Sequence, residues 1–412
     1  MLDSLDLHIP FQMKFLKQTG QDDHISFYLP LETLPSEVPL VASDVRILDD
    51  GSYQVLELKH AYESLSSAHS GMAMKIYHQG MNSDPFVALK CSPCKLLQGH
   101  NLYGFEDVEK AFANMMGLLA STYPLLYDML DPLKATVSGL DITYSVFVPC
   151  QKRKMLFLDH LRSVSKGQTK NRGDAYATSI YFGAKTSRLK KLKVYSKCEE
   201  MIQDAEKMKR NGYTKSYEIM SELINTEYAK SAVRFEATIK SRYLERRAIP
   251  IDIKGLTAYI RKYPLFYRDM FLSAWSDIFV ALGGQELTVM NDDEVFKKVE
   301  AVFISYRKSG KPSYTKVNRV YSFYTTLKNR GFEGLKRTMP KNTFNDNVRD
   351  LCSCGISRSY LQNLHKDSGA EVIKLAQIIE FDFDNQLPPG YQEPLDLFEQ
   401  ASSNVVSIRR AF

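Results

Sequence analysis

Residues 189–197 of this 412-residue chain read LKKLKVYSK, an alternation of apolar and polar side chains. A β-strand sends successive side chains to opposite faces of a sheet, so the stretch predicts a strand with one apolar face. The stretches 136–148, TVSGLDITYSVFV, and 233–240, VRFEATIK, alternate in the same way. If the three apolar faces pack into one core, the three polar faces share one surface. That surface would hold Asp141, Lys191, Lys193, Tyr195, Lys197, Arg234, Glu236 and Lys240.

This shared polar face contains the groups that phosphodiester transesterification needs. A tyrosine hydroxyl such as that of Tyr195 can attack phosphorus, and a divalent metal held by Asp141 and Glu236 can polarise the phosphate. Nearby lysines lower the pKa of the nucleophile and bind phosphate. The alternative is structural, because the chain has 24 tyrosines and the two carboxylates can belong to surface ion pairs. No Walker loop, His-x-His pair or zinc signature in the sequence competes for the active site.

The distribution of charge indicates a polyanionic partner. Residues 151–200 contain 13 Lys and Arg against 4 Asp and Glu, and residues 301–350 contain 11 against 3. The first 50 residues contain 3 against 9. Ser, Thr, Asn and Tyr are interleaved with the cations of both basic blocks, and phosphate contacts use these residue types together. Solvated helix faces are the alternative explanation, but the mixture of cationic and polar residues favours nucleic acid as the partner.

Apolar patterning and cysteine usage predict a cytoplasmic protein without membrane contact. The longest apolar region, 263–282, is interrupted by three charged residues, so we expect a core helix there and not a membrane span. The first ten residues lack the basic and apolar regions of a secretory signal. The six cysteines form no disulfide framework, and the pair Cys91 and Cys94 lacks the further ligands that zinc requires.

The order of strand and helix signals predicts an α+β fold. We expect a nuclease domain at 1–248, built on an antiparallel sheet with helices on one face, and a mainly α-helical DNA-binding domain at 249–366. Residues 367–412 are acidic and irregular, which predicts a loosely packed C-terminal tail. The expected elements of the first half are hairpins within 72–91 and 178–196 and helices at 106–120, 155–165 and 198–210.

Residues 343–366 fit a helix-turn-helix pattern. Apolar residues at helical spacing precede Gly355, which suits the turn, and Ser357 can cap a second helix. Arg358 and Gln362 would then lie near the exposed start of that helix and reach a DNA groove. An ordinary helical hairpin is an equal alternative.

Several long stretches resemble the replication-initiator endonucleases of filamentous phages, the gene II product family. The matching segments are 90–105, 138–145 (SGLDITYS), 159–169 (DHLRSVSKGQT), 186–200 (TSRLKKLKVYSKCEE) and 231–244 (SAVRFEATIKSRYL), with weaker similarity through 311–365. The resemblance implies a protein that nicks the viral strand of double-stranded circular phage DNA at the origin. Such a protein starts rolling-circle replication and recloses the displaced single strand, together with a host helicase and DNA polymerase in the host cytoplasm.

The resemblance also implies roles for individual residues. Tyr195, in the pattern Tyr-x-Lys-x-x-Glu, would be the nucleophile, with Lys197 as a second catalytic residue. Asp141 and Glu236 would hold Mg²⁺ or Mn²⁺. The remaining candidates for metal ligands are Glu200 and His100, and a histidine that only stabilises a turn is about as good an explanation of His100. We expect DNA contacts from Arg188, Lys191, Lys193, Arg234, Lys240, Arg358 and Gln362.

Two departures and two alternatives accompany the resemblance. Gly139 stands where relatives often have a basic residue, and residues 170–185 match poorly. The chain also lacks the His-hydrophobic-His pair of the wider rolling-circle class, so metal binding must rest mainly on carboxylates. A non-catalytic origin-binding protein that melts DNA and recruits a host helicase is the alternative function, and a tyrosine recombinase is more remote. An internal start at Met290, giving a shorter protein that binds single-stranded DNA, is a further hypothesis from the resemblance.

Overall fold

The computed structural model describes residues 1–19, 26–39, 42–51, 53–58, 63–79, 84–148, 150–163, 165–166, 169–170, 178–283, 292–307, 309–356, 361, 364 and 381–403. Met290, Arg358 and Gln362 lie outside these ranges. Most of the second helix of the predicted helix-turn-helix lies outside them as well, so that motif stays a prediction.

Within the described ranges the main sheet has eight antiparallel strands. We number them β1 (Leu2–Pro10), β2 (Glu63–Ser66), β3 (Gly71–Tyr77), β4 (Phe86–Cys91), β5 (Thr136–Phe147), β6 (Ser179–Phe182), β7 (Lys190–Ser196) and β8 (Ala232–Lys240). Their order across the sheet is β6-β7-β8-β5-β1-β4-β3-β2. The strands predicted from alternation, β5, β7 and β8, are therefore adjacent, and the two predicted hairpins form as β3-β4 and β6-β7.

Strand β1 was not among the predicted elements, yet it lies in the middle of the sheet between β5 and β4. Its register with β5 shifts between Leu2 and Ser4, so Asp3 occupies a β-bulge. Outside the main sheet, the described residues form four short antiparallel pairs. They join Lys17–Thr19 to Ser26–Tyr28, Ala42–Ile47 to Tyr53–Leu58, Ser165–Lys166 to Thr169–Lys170 and Ser305–Tyr306 to Pro312–Ser313.

Fifteen α-helices are described. They are α1 (Pro93–Gln98), α2 (Val108–Thr122), α3 (Pro124–Asp128), α4 (Gln151–Ser163), α5 (Lys197–Arg210), α6 (Thr214–Leu223), α7 (Glu227–Ser231), α8 (Ser241–Glu245), α9 (Ile253–Lys262), α10 (Phe266–Gly283), α11 (Asp292–Phe303), α12 (Thr315–Arg330), α13 (Phe332–Thr338), α14 (Lys341–Ser353) and α15 (Leu397–Ser403). The α+β class is confirmed, since the sheet precedes a mostly helical region. None of these helices is long and apolar enough to cross a membrane.

The described residues form two main apolar cores and two clusters of three buried residues each. The apolar face of the sheet packs on helices in the larger core. Phe235 of β8 contacts the Trp275 indole of α10, with ring centroids 5.1 Å apart. This core continues through Leu282, so α9 and α10 belong with the sheet. A second core, formed by α11 to α14, begins at Val295. The two main cores thus divide after α10, and the domain boundary near residue 249 stays a prediction.

Residues 381–403 pack on the larger core, in contrast to the loose tail expected from their acidity. Phe381 and Phe383 contact the aromatic rings of α10. The Gln386 side chain accepts a hydrogen bond from the Ser145 backbone N–H at 2.7 Å and donates to the Ser145 carbonyl at 3.0 Å. Because β1 begins only at Leu2, opposite Ile142, the edge of β5 at Ser145 lacks a strand partner, and the Gln386 amide replaces it.

Candidate active site

Tyr195 is the second-to-last residue of β7 and lies opposite Arg234 of β8 and Ser179 of β6. Its side chain is only 1% exposed. The Lys193 ammonium lies 3.9 Å from the centroid of the Tyr195 ring, a cation–π contact. Burial, and after it the charges of Glu236 and Glu200, raise the pKa of Tyr195 well above its ordinary value. The phenol is therefore protonated at neutral pH.

Two carboxylates lie on the same face of the sheet as Tyr195. Glu236 of β8 is opposite Lys193 on one side and Thr143 of β5 on the other, and Asp141 of β5 is opposite Thr238. Asp141 and Glu236 are thus diagonal neighbours on adjacent strands, and both are half-buried. Removal from water raises the pKa of Asp141 to about 6. Removal from water, with the charge of Asp141 next, raises the pKa of Glu236 to about 7. For both carboxyls, burial therefore disfavours the ionised form by more than the nearby lysines favour it.

Lys197, the first residue of α5, is fully buried within a hydrogen-bonded network. Its Nζ donates to Glu200 Oε2 at 2.5 Å and to Asn101 Oδ1 at 2.7 Å. The Asn101 Nδ2 in turn donates to Asp3 Oδ1 at 2.7 Å. A carboxylate only accepts and an ammonium only donates, so these two partners fix the orientation of the Asn101 amide. The network links β1, the segment before α2, and α5.

The network stabilises the charged form of Glu200 more than that of Lys197. Burial alone would raise the pKa of Glu200, but the Lys197 and Lys95 charges outweigh it and hold that pKa at about 2. Burial lowers the pKa of Lys197 to about 8 despite the neighbouring Glu200. Lys95 of α1 also pairs with Asp204 of α5. Glu200 is therefore ionised and already engaged by cations.

Arg234 binds residues 101 and 102, which belong to the segment that covers Tyr195. Its side chain is 2% exposed, and its two terminal nitrogens donate to the backbone carbonyls of Asn101 and Leu102. Because Arg234 and Phe235 are successive residues of β8, this segment lies on the face opposite α10. The polar face near Tyr195 is therefore covered by residues 100–102 and the start of α5.

His100 lies among cations. Its Nδ1 accepts a hydrogen bond from the Leu102 N–H at 3.3 Å, and its ring packs edge-on against Tyr103. Burial, followed by the charges of Lys197 and Arg234, lowers the pKa of His100 to about 3. The imidazole is therefore neutral, with one nitrogen engaged by the backbone. A role for His100 as a metal ligand stays a prediction.

Comparison with known proteins identifies the family. The N-terminal model of the phage replication-associated protein family, that of the gene II product, matches residues 1–257, and the C-terminal model of the same family matches residues 307–397. The chain belongs to the replication-associated protein family of filamentous phages. Relatives include the replication-associated proteins of Salmonella phage IKe, 34% identical over all of both chains, and of Enterobacteria phage M13, 32% identical over 96% of this chain and 99% of the relative. The replication-associated protein of Enterobacteria phage fd shows the same 32% identity and the same coverage. No solved structure matches.

The described residues can be compared with the predicted site for Mg²⁺ or Mn²⁺. Among the residues that the structure describes, no group of three or more His, Cys, Asp or Glu is arranged to hold a metal ion. Mg²⁺ is commonly held by one or two carboxylates together with substrate phosphates. Asp141 and Glu236 fit that pattern, since both offer oxygen donors and they are diagonal neighbours on one face of the sheet. Glu200 differs from them, because it is paired with Lys197.

The predicted DNA-contacting residues divide by position. Lys191 and Lys193 are half-buried on the polar face of β7, and Arg188 is exposed just before that strand. Lys240 lies opposite Gly139, and a Cβ at Gly139 would come within 2.8 Å of its Nζ. The Lys240 ammonium therefore occupies the space next to β5 where the basic residue expected from the family resemblance would project.

No sequence pattern indicated Asp3 as a residue of the site, whereas the family resemblance placed Asn101 in or beside the site, within the segment Gly99-His100-Asn101, without assigning it a role. Asp3 lies on the unpredicted β1, and its charge acts on Tyr195 and on both Asp141 and Glu236. Asn101 bridges Asp3 to Lys197 and belongs to the segment 90–105 that carries part of the family resemblance. The position of Asn101 beside His100 in that segment was the available signal.

Proposed function

We propose that this protein is a replication initiator that nicks one strand of double-stranded circular phage DNA at its origin and later recloses the displaced single strand. The observation that carries the proposal is the shared face of β7, β8 and β5, which holds Tyr195, Lys193, Glu236 and Asp141. Membership of the replication-associated protein family supports a role in replication. The partners in this proposal are origin DNA, single-stranded DNA, a host helicase and a host polymerase, in the host cytoplasm.

The proposed reaction is a transesterification. The Tyr195 oxygen forms a bond to phosphorus as the bond from phosphorus to the 3′ oxygen breaks. The phenol proton leaves the nucleophile, and the departing oxygen takes up a proton to give a 3′ hydroxyl. A polymerase extends a 3′ hydroxyl, so the tyrosine retains the 5′ phosphate. The reverse reaction closes a strand without a further energy source.

The chain's own residues prepare the nucleophile. Lys193 lies over the ring and stabilises the phenolate as it forms, whereas Glu236 and Glu200 oppose its formation. The Lys197 ammonium holds Glu200 and Asn101, and through Asn101 it fixes Asp3. Bound to Asp141 and Glu236, Mg²⁺ or Mn²⁺ would offset their charge and polarise the phosphate.

The test is nicking of supercoiled origin DNA by the Tyr195→Phe variant. We expect no nicked circles and no covalent protein–DNA adduct, with DNA binding retained, because Phe keeps the ring and removes only the hydroxyl. Tyr181→Phe, on the adjacent strand β6, is the matched control and should nick at the parental rate. Parental nicking by Tyr195→Phe would refute the nucleophile assignment.

Two further results separate the components of the proposal. Nicking by the parent that persists in excess chelator would refute the metal assignment while leaving Tyr195 in place. Origin binding without nicking by the parent, at any Mg²⁺ or Mn²⁺ concentration, would instead support the non-catalytic initiator that melts DNA.

A further inference from the structure

A cavity of about 410 Å³ lies between the C-terminal segment 383–393 and the end of the sheet that carries Arg234. Its walls come from Met1 and from four further parts of the chain, within 102–107, 143–145, 228–234 and 383–393. The lining includes Tyr103, Thr143, Tyr228, Arg234, Asp384 and Tyr391. Cavities of this size accept small ligands when aromatic walls surround a few polar groups.

Three buried polar atoms in the wall of the cavity lack a hydrogen-bond partner in the described part of the chain. They are Thr143 Oγ1, Arg234 Nε and the Tyr391 hydroxyl. Thr143 and Arg234 are each 2% exposed. Buried polar atoms are nearly always paired in folded proteins, so three unpaired atoms at one cavity indicate a ligand that completes them. The Arg234 Nε–H can donate one hydrogen bond, and the Thr143 hydroxyl can donate or accept.

Tyrosine rings form a large part of the wall. Tyr103 packs edge-on against Tyr228 at 5.7 Å and against Tyr391 at 5.4 Å between ring centroids. The Tyr391 hydroxyl, also buried, has no partner within the described ranges. Nucleobases stack on aromatic side chains in single-strand binding sites, and this stacking tolerates any base.

The charge of the lining residues favours a nucleobase over a phosphate as the ligand of the cavity. The lining includes four carboxylates, those of Glu106, Asp107, Asp384 and Glu393. Glu106 pairs with the N-terminal amine and Glu393 with Lys110. Among the described residues that line the cavity, Arg234 is the single cationic side chain, and its terminal nitrogens are already bound to carbonyls. A phosphate would meet net repulsion, whereas a neutral base edge would satisfy Arg234 and Thr143.

The cavity adjoins the nucleophile. Arg234 is the register partner of Tyr195 on one side and of Ser145, another wall residue, on the other. We propose that the cavity binds one unpaired nucleobase of the DNA single strand that Tyr195 attacks. This inference rests on the proposed function in taking single-stranded DNA as substrate.

The experiment is photocrosslinking of the full-length Tyr195→Phe protein, which cannot cleave, to a 12-nucleotide thymidine strand carrying 5-iodouracil. We expect crosslinked peptides that contain Tyr103, Tyr228 or Tyr391. The Tyr391→Ala variant should reduce crosslinking at the remaining two tyrosines and weaken binding of the strand about tenfold, and Tyr391→Phe, which keeps the stacking ring, should weaken binding much less. Crosslinks found only elsewhere in the chain would overturn the proposal.

Thr143→Val and free nucleotide supply independent tests. Because the Thr143 hydroxyl has no partner in the described part of the fold, Thr143→Val should leave urea stability equal or higher while weakening strand binding several-fold. Unchanged binding would overturn the assignment of Thr143. Free thymidine 5′-monophosphate should not remove the crosslink at concentrations where the thymidine strand does; if it does, the site takes free nucleotides and the strand proposal fails. None of these readouts depends on nicking, so failure of the pocket and failure of the Tyr195 assignment are distinguishable.

Discussion

Replacing Lys197 with Met is expected to destabilise the larger core by about 3 kcal/mol. The Lys197 side chain is fully buried and donates to Glu200 at 2.5 Å and to Asn101 at 2.7 Å. Breaking a buried pair by removing one partner costs about 3–5 kcal/mol, because the other charge is left uncompensated. The Glu200 side chain is 24% exposed and Lys95 acts on it as well, which places the expected loss at the lower end.

Removing both charges should recover most of this loss. In Lys197→Met/Glu200→Gln no buried carboxylate lacks its cation, so the remaining cost is about 1 kcal/mol for the unpaired oxygen of Asn101. Urea unfolding followed by tryptophan fluorescence measures these changes, because the chain has a single tryptophan and Trp275 is buried in the larger core. Lys193→Met is the matched control on the same face, and loss of its cation–π contact should cost about 1 kcal/mol or less.

Two results would refute this reasoning. A loss below about 1 kcal/mol in Lys197→Met would show that the ion pair is not a buried one in solution. Additivity of the two single changes within about 0.5 kcal/mol would show that Lys197 and Glu200 do not interact. If the double variant is stable but cannot nick origin DNA, the pair contributes to the chemistry beyond its structural role.

Three other predictions concern the same region. Burial lowers the pKa of His100 to about 3, below its ordinary 6.5, so protons favour the unfolded chain and stability is lost as the pH falls from about 6.5 towards 3. Between pH 7 and pH 4.5, the free energy of unfolding in urea should therefore fall less for His100→Gln than for the parent. An equal fall would contradict the lowered pKa of His100. Asn101→Asp replaces the amide that donates to Asp3 with a second carboxylate and should lower the free energy of unfolding by about 2 kcal/mol. An unchanged midpoint of thermal unfolding would contradict this prediction. Gln386→Leu leaves the Ser145 N–H and carbonyl unpaired and should make the segment 381–403 cleave faster in limited proteolysis; parental rates would count against that contact.

The strands of the polar face could be predicted because their signal is local. Alternation of apolar and polar residues fixes which side chains share a face, and in β5, β7 and β8 it assigned Asp141, Tyr195 and Glu236 correctly to one surface. The order of the strands is not local, but three strands with matching faces have few ways to pack. The position of residues 381–403 could not be predicted in this way, since Gln386 and the two phenylalanines contact residues far away in the sequence.

The hydrogen-bonded network around Lys197 could not be predicted from the spacing of residues along the sequence. It joins Asp3, Asn101 and Lys197, which are separated by about a hundred residues at each step, and each of the three alone is an ordinary polar residue. Family resemblance drew attention to His100, its neighbour in sequence. The fold instead gives the bridging position to Asn101 and surrounds His100 with cations.

The bulge in β1 explains why Asp3 belongs to the site at all. Leu2 and Leu5 are both fully buried in the larger core, although strict alternation would place residues three apart on opposite faces. The register shift between Leu2 and Ser4 inserts one residue and lets both leucines face the core. Without that extra residue, the alternation that buries Leu5 would also direct Asp3 towards the apolar core, where its charge would have no partner. The bulge therefore serves the core and the site together, since it buries Leu2 and turns Asp3 towards Asn101.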